Sequence, residues 1–477
     1  MKKYACIIGL LLIIHSLNAQ AFQDFLTHLN SLPESGRQAV VDSFMNSGHA
    51  IPYTESDSLV HFIYQGSASN IKIAGDATAW NPQLNLIHVN GTDFWYFTAI
   101  YPSDARLDYK FVLNGSSWIL DPKNPYTCSG GFGPNSELRM PAYVVPPEIS
   151  YYSNIPHGTI KDTTFHSTAL GNTRPVKVYL PPDYDSGDKI YPVILFHDGL
   201  EYLSLAKANN ILDYLIAQHM ITPVVGLFVP PVDRSAEYAG SKKDQFTRFI
   251  VEELMPVMEQ KYRISHDPHQ RALLGASDGG NISLYTGVKH PEQFGKIAAH
   301  SSNVIPAISN TLQGSEKLDL DFYLDIGTYD IEELIPLVNN LKDILESKSY
   351  PTHFYQWNEG HSWGNWKGHL RLPLMQFFPY TSGINDNFRK PPVELRQNNP
   401  NPFNKKTSIL YSVTSEPSAE LFFSDFAGRI LERHILHPMS KEAQSYTFNN
   451  QSFPPGTYLY TLRTEKYSIT KKMTIIK

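Results

Sequence analysis

Gly275-Ala276-Ser277-Asp278-Gly279 is the stretch on which the reading of this sequence turns. It follows the short apolar run Ala272-Leu273-Leu274. It precedes Gly280-Asn281-Ile282-Ser283-Leu284-Tyr285, a segment able to open a helix. A G-x-S-x-G set between a strand and a helix makes a sharp turn that holds a serine hydroxyl out at the top of a sheet. The flanking glycines have a steric reason, because a Cβ beside the serine would collide with the adjoining helix or strand. Glycine and serine are common, so the pentapeptide acquires chemical meaning only if a base, an acid and an oxyanion-binding pair stand elsewhere in the chain.

The surroundings of Ser277 predict a sheet of the right kind. Between about residues 158 and 380, apolar runs alternate with helix-period segments. Tyr191–Phe196 is nearly continuous in its apolar character, as expected of a strand buried on both faces. Further strand-like runs lie at 176–180, 223–229, 272–274, 297–299, 320–326 and 352–357. Helical periodicity marks 205–218, 244–262, 281–288 and 332–346. This pattern predicts an α/β domain over 157–381, a mostly parallel sheet wrapped by helices.

A neutral serine hydroxyl is a poor nucleophile and needs a base that an acid orients. On such a sheet the acid and then the histidine follow the serine in chain order. Asp330 lies in the loop after the strand ending near Ile326 and is the preferred acid; its other reading is the N-cap of a helix starting near Ile331. Asp325 sits within that strand, where the pleat sets its direction. His361 follows the next strand and is the preferred base, while His353 and His369 read as structural. The oxyanion hole needs two backbone N–H groups aimed at one point. Asp278, just after the serine, offers one. Leu200, in the loop His197-Asp198-Gly199-Leu200, offers the other, unless Asp198-Gly199 is a plain turn.

The flanks differ in texture. Residues 1–19 combine Lys2-Lys3, a short apolar core and small residues near Ala19, which reads as a secretory signal. No other run approaches membrane-spanning length. A helical lead-in is expected over 20–56. From 57 to 146, short alternating runs separated by Gly, Asn and Asp predict an Ig-like β-sandwich. A linker over 382–394 contains Arg389-Lys390-Pro391-Pro392, and a second β-rich unit occupies 395–477.

Composition limits the partners. The net charge of −6 over 477 residues gives no reason to expect nucleic acid. Two cysteines, Cys6 and Cys128, exclude a disulfide framework and a cysteine metal site. The proposed chemistry needs no metal or cofactor, and no metal-ligand set is visible.

Taken together, Phe196-His197-Asp198-Gly199, Gly275–Gly280, Gly327-Thr328-Tyr329-Asp330 and Glu359-Gly360-His361-Ser362-Trp363 resemble the esterase family of α/β-hydrolases. That family holds enterochelin, feruloyl and acetyl-xylan esterases, S-formylglutathione hydrolases and mycolyl transferases. The resemblance spans about residues 159–380. It implies a Ser277–Asp330–His361 triad. It also matches Arg234-Ser235-Ala236-Glu237 to an R-x-x-E in which Arg234 grips substrate oxygens, or else forms a salt bridge to Glu237 that shapes the loop. Trp363 would line the acyl pocket or merely pack.

The series Gly75-Asp76, Trp80, Tyr109-Lys110-Phe111, Asn114-Gly115, Trp118, Asp121-Pro122 and Asn135 resembles the early-set sandwich of glycogen-binding modules. The resemblance implies glycan contacts by Trp80, Lys110, Trp118 and Asn135; core or interdomain packing is the other reading. The last eighty or so residues, from Asn398-Asn399-Pro400 through Pro454-Pro455-Gly456-Thr457-Tyr458 to Lys471–Lys477, resemble the sorting domain of the type IX secretion system. An outer-membrane secretion machinery is then the implied partner, and the chain is expected outside the cell or on its surface. The function expected is a secreted serine esterase acting on feruloyl or acetyl esters of plant polysaccharide. An exported siderophore esterase, an acyltransferase, and a surface glycan-binding protein with an inactive hydrolase domain are the other readings.

Overall fold

In the computed structural model, the described residues are 21–380 and, in the C-terminal unit, 393–413, 418–425, 430–436, 444–450, 453–464 and 468–476. The expected signal, 1–19, and nearly all of the expected linker, 382–394, lie outside them. Two compact units result, divided after Tyr380.

Residues 159–360 build a mostly parallel sheet. Its strands are β1 (Thr159–Ser167), β2 (Asn172–Leu180), β3 (Val193–His197), β4 (Val225–Val229), β5 (Arg271–Ala276), β6 (Lys296–His300), β7 (Asp321–Tyr329) and β8 (Thr352–Gly360). They lie in the order β1-β2-β4-β3-β5-β6-β7-β8. The β1–β2 and β2–β4 pairs are antiparallel, and from β4 to β8 every pair is parallel. Side-chain alternation divides the apolar residues between two cores. Leu195, Leu227, Leu273, Ile297 and Leu324 point to one face. Ile194, Phe196, Phe228, Leu274 and Ala298 point to the other. Helices cover both, so the central strands β3, β4 and β5 are wholly buried and read as continuous apolar runs.

Residues 53–139 form the expected sandwich. A four-stranded sheet, with Leu59–Gln65 and Phe94–Ile100 at its centre, faces a second sheet built around Arg106–Leu113. Val60, Phe62, Ile73, Leu107, Tyr109, Phe111 and Leu138 fill the space between them. The lead-in is part of this body. Helices Ala21–Ser31 and Glu34–Met45 lay Phe22, Leu26, Leu29 and Val41 on the outer face of the four-stranded sheet, against Ile63 and Phe94.

The second sheet is continuous with the larger, mostly parallel sheet. Arg106 pairs in parallel with Glu359 of β8, which makes one sheet of fourteen strands. The sandwich and the larger sheet are thus joined at the C-terminal end of β8.

The C-terminal unit is a separate β-sandwich. Strands Val393–Leu395, Lys406–Val413 and Gln444–Asn449 form one sheet. Ala419–Ser424, Ile430–Leu436, Gly456–Arg463 and Ser468–Ile475 form the other. Ile409, Leu421, Phe423, Tyr460, Leu462 and Met473 are its core. Asn398 is buried; its backbone N–H donates to Tyr460 Oη at 2.8 Å, and its amide donates to Thr407 Oγ1 at 3.0 Å.

Candidate active site

Leu200, Ser277, Asp278, Asp330 and His361 lie just past the C-terminal ends of β3, β5, β7 and β8. Ser277 turns the chain from β5 into the helix Asp278–Lys289 with φ 57° and ψ −125°. A non-glycine residue in that region is strained by about 1–3 kcal/mol and persists only where its surroundings force it. Here they do. A Cβ on Gly275 would stand 2.1 Å from the Gly279 carbonyl oxygen, so strand and helix meet backbone to backbone. The Ser277 N–H donates to His300 O at 2.9 Å, and Asn303 N–H donates to Ser277 O at 3.3 Å.

Asp330 lies just past β7 with its carboxylate buried. His361 Nδ1 is 2.7 Å from Asp330 Oδ1. The other oxygen, Oδ2, accepts from Ser301 Oγ at 2.6 Å and from Gly327 N–H at 3.2 Å. The helix beyond begins at Leu334 with Glu333 as its N-cap, so Asp330 is not that cap. Asp325 faces elsewhere. It is wholly buried, 2.7 Å from His300 Nδ1, and accepts from Tyr323 Oη at 2.9 Å. Burial works to raise its pKa, but His300, together with His369 and the Tyr323 hydroxyl, more than offsets this and holds it below the usual carboxylate range.

Leu200 and Asp278 both occupy the first turns of helices, Gly199–Ser204 and Asp278–Lys289. Their N–H groups precede the first intrahelical bonds, which run from Glu201 and Tyr202 to Asp198 O and from Asn281 to Ser277 O.

Two expectations are corrected. Glu237 is not at the site. It is fully buried, and Arg174 donates to its two oxygens at 2.9 and 3.0 Å, so neither faces a ligand. Arg234 does not pair with Glu237. Its guanidinium grips Asp198 through two bonds, at 2.8 and 2.9 Å, donates to Ala276 O at 3.2 Å and lies 3.6 Å from Asp278 Oδ2. Trp363 packs edge-on against Tyr202 and Trp366, in keeping with the packing reading of that residue. The ring that meets His361 belongs to Trp366, edge-on with centroids 5.0 Å apart.

The four sandwich residues are spread over different settings. Trp80 Nε1 donates to Asp76 Oδ1 at 3.2 Å, and Asn135 Nδ2 donates to Asp108 Oδ2 at 3.1 Å. Lys110 is half-buried, and Trp118 is 45% exposed. Cys128 is buried, and burial pushes its thiol up to about 11, which removes it as a nucleophile at neutral pH. Among the described residues no cluster of potential metal ligands occurs.

Nothing local in the sequence marks Ser301, Asn303 or Trp366 as residues of the site. Asn303 Nδ2 donates to Asp278 Oδ1 at 3.1 Å, and the same residue heads a cleft of about 380 Å³ between the helices Pro306–Gly314 and Leu334–Ser347. Its polar lining is uncharged: Asn303, Ser309, Asn310, Gln313 and Asn340.

Residues 167–376 match the family model described as "Putative esterase", and residues 399–477 match "Secretion system C-terminal sorting domain". A Bacillus subtilis (strain 168) protein, YjcH, uncharacterized by its description, is 28% identical over 226 residues, 44% of this chain and 94% of that one. An endo-1,4-beta-xylanase/feruloyl esterase of Xylanibacter ruminicola is 28% identical over 158 residues, 31% of this chain but 22% of that protein. The crystal structure of the enterobactin esterase FES from Shigella flexneri superposes with a TM-score of 0.60 at 21% identity, covering 70% of this chain and 97% of that one. It shares the fold.

Proposed function

Because the catalytic layer of this chain is a domain of the esterase family, a carboxylic ester hydrolase, and because a sorting domain for export follows it, we propose that the protein is a secreted serine esterase working through a Ser277–His361–Asp330 triad. The observation that carries this reading is the His361–Asp330 bond at 2.7 Å, at the end of the sheet where the strained elbow holds Ser277.

In the mechanism that follows, Asp330 accepts Nδ1–H, which leaves Nε2 free to take the serine proton. The serine oxygen attacks the ester carbonyl. The N–H groups of Asp278 and Leu200 receive the oxyanion. Collapse expels the alcohol, protonated by His361. Water, activated by the same imidazole, then hydrolyses the acyl-enzyme.

The substrate class proposed is an acetyl or feruloyl ester of a plant polysaccharide. The cleft headed by Asn303 fits such an ester, since its carboxamides and hydroxyl pair with sugar hydroxyls while Val304, Ile305, Pro306 and Leu337 give it an apolar side. An anionic ferric catecholate would call for free cations, and Arg234 is already held by Asp198 and Asp278. For export, an N-terminal signal ending near Ala19 complements the sorting domain.

The purified protein assayed on acetylated xylan, methyl ferulate and ferric enterobactin tests the substrate class. The expected result is the highest kcat/KM on a polysaccharide or feruloyl ester. Turnover of ferric enterobactin with the other two untouched would overturn it.

A further inference from the structure

The loop that carries His361 is held from both sides by the sandwich. Arg106 lies on a sandwich strand and is wholly buried. Its Nη1 donates to Ser362 Oγ at 3.0 Å, the residue just after His361. The guanidinium is fixed from the sandwich side by Asp108 at 2.6 Å and Glu137 at 3.2 Å. Ser362 in turn accepts from Asn365 N–H at 3.4 Å, capping the helix Trp363–His369. A Cβ on Gly364 would stand 1.9 Å from Arg106 Cζ, so the guanidinium lies directly on the backbone of that first helical turn.

Gly360, the residue before His361, is seated in the same way. A Cβ there would fall 2.1 Å from Asp76 Cγ. Asp76 is itself tied down, its Oδ2 accepting from Asp108 N–H at 2.7 Å and its Oδ1 from Trp80. Asn365 Nδ2 closes the loop by donating to Gly360 O at 2.9 Å.

We propose that Arg106 is a positioning residue for the base: through Ser362 and the Asp76 seat under Gly360, the sandwich sets where the His361 imidazole stands. The sandwich thereby serves catalysis as a brace on the catalytic layer. A base displaced by about 1 Å can cost a hundredfold in rate, so a buried bidentate-capable cation on this loop acts on turnover through geometry and touches no substrate. This inference rests on His361 being the base.

The test uses the full chain and p-nitrophenyl acetate. Arg106→Gln and Ser362→Ala should each lower kcat at least tenfold with KM within about twofold, and the double variant should be no worse than the poorer single one, because both changes break one link. Glu55→Ala, which unmakes the buried Glu55–His61 pair on the far side of the sandwich, should lower Tm with kcat unchanged. Where Arg106→Gln does not fold, Ser362→Ala with Arg106→Lys reads the same link. Wild-type kcat in the folded variants, or additive losses in the double variant, would overturn the brace. His361→Ala runs in parallel. If it keeps its activity, the assignment of the base has failed; if it alone is inactive, only the brace has.

Discussion

Ser277→Ala is expected to lower kcat on p-nitrophenyl acetate by about 10⁶-fold while leaving Tm unchanged, by analogy with nucleophile removal in other serine hydrolases. The stability half follows from the backbone. Alanine takes the same φ of 57° at the same cost as serine, and no hydrogen bond that holds the elbow involves the hydroxyl: the Ser277 N–H to His300 O and the Asn303 N–H to Ser277 O bonds are both main-chain. The rate half follows from the loss of the only atom that would form the acyl bond. Residual turnover would come from the oxyanion site and from substrate binding. Circular dichroism melting and initial rates measure the two halves on the same sample.

Asp330→Asn should reduce kcat by about 10⁴-fold. The carboxylate accepts from four directions: His361 Nδ1, Ser301 Oγ, Gly327 N–H and Ile331 N–H. An amide in its place presents a donor where only acceptors serve. Where that donor meets the imidazole, Nδ1 must become the acceptor and the proton moves to Nε2, the tautomer that cannot take the serine proton. Asp325→Asn makes the contrast. It loosens a wholly buried pair with His300 and should lower Tm more than kcat. Rates and melting curves of the two variants side by side decide between the acids. A larger loss of kcat in Asp325→Asn than in Asp330→Asn would contradict the assignment.

The parts of the site that follow strand ends are legible in the amino-acid sequence. Ser277, Asp330 and His361 each stand just past an apolar run, and a loop beyond a buried strand can only open at the end of the sheet. Side chains whose roles depend on a distant segment are not legible in this way. Arg106 and Ser362 are separated by 256 positions, and nothing local marks them as partners. Arg234 and Glu237 stand three residues apart at helical spacing, which suggests a pair. Instead Arg174 takes Glu237 and Asp198 takes Arg234. The two tryptophans have a simpler relation. They stand three residues apart on one face of the helix that begins at Trp363, packed 4.9 Å from each other in the same core, and it is the ring of Trp366 that also meets His361. In the sandwich, the series read as a glycan face includes Trp80 and Asn135, whose polar groups are taken by Asp76 and Asp108. Alternation alone does not tell an outer face from one that meets another domain.

The central claim is that Ser277 is the nucleophile of an intact esterase site. The most direct measurement is labelling of the full chain with a fluorophosphonate probe, followed by peptide mass spectrometry. The expected result is one label per chain, on the peptide containing Ser277, and none on Ser277→Ala. A label on another serine, or wild-type protein that stays unlabelled while it hydrolyses p-nitrophenyl acetate, would contradict it.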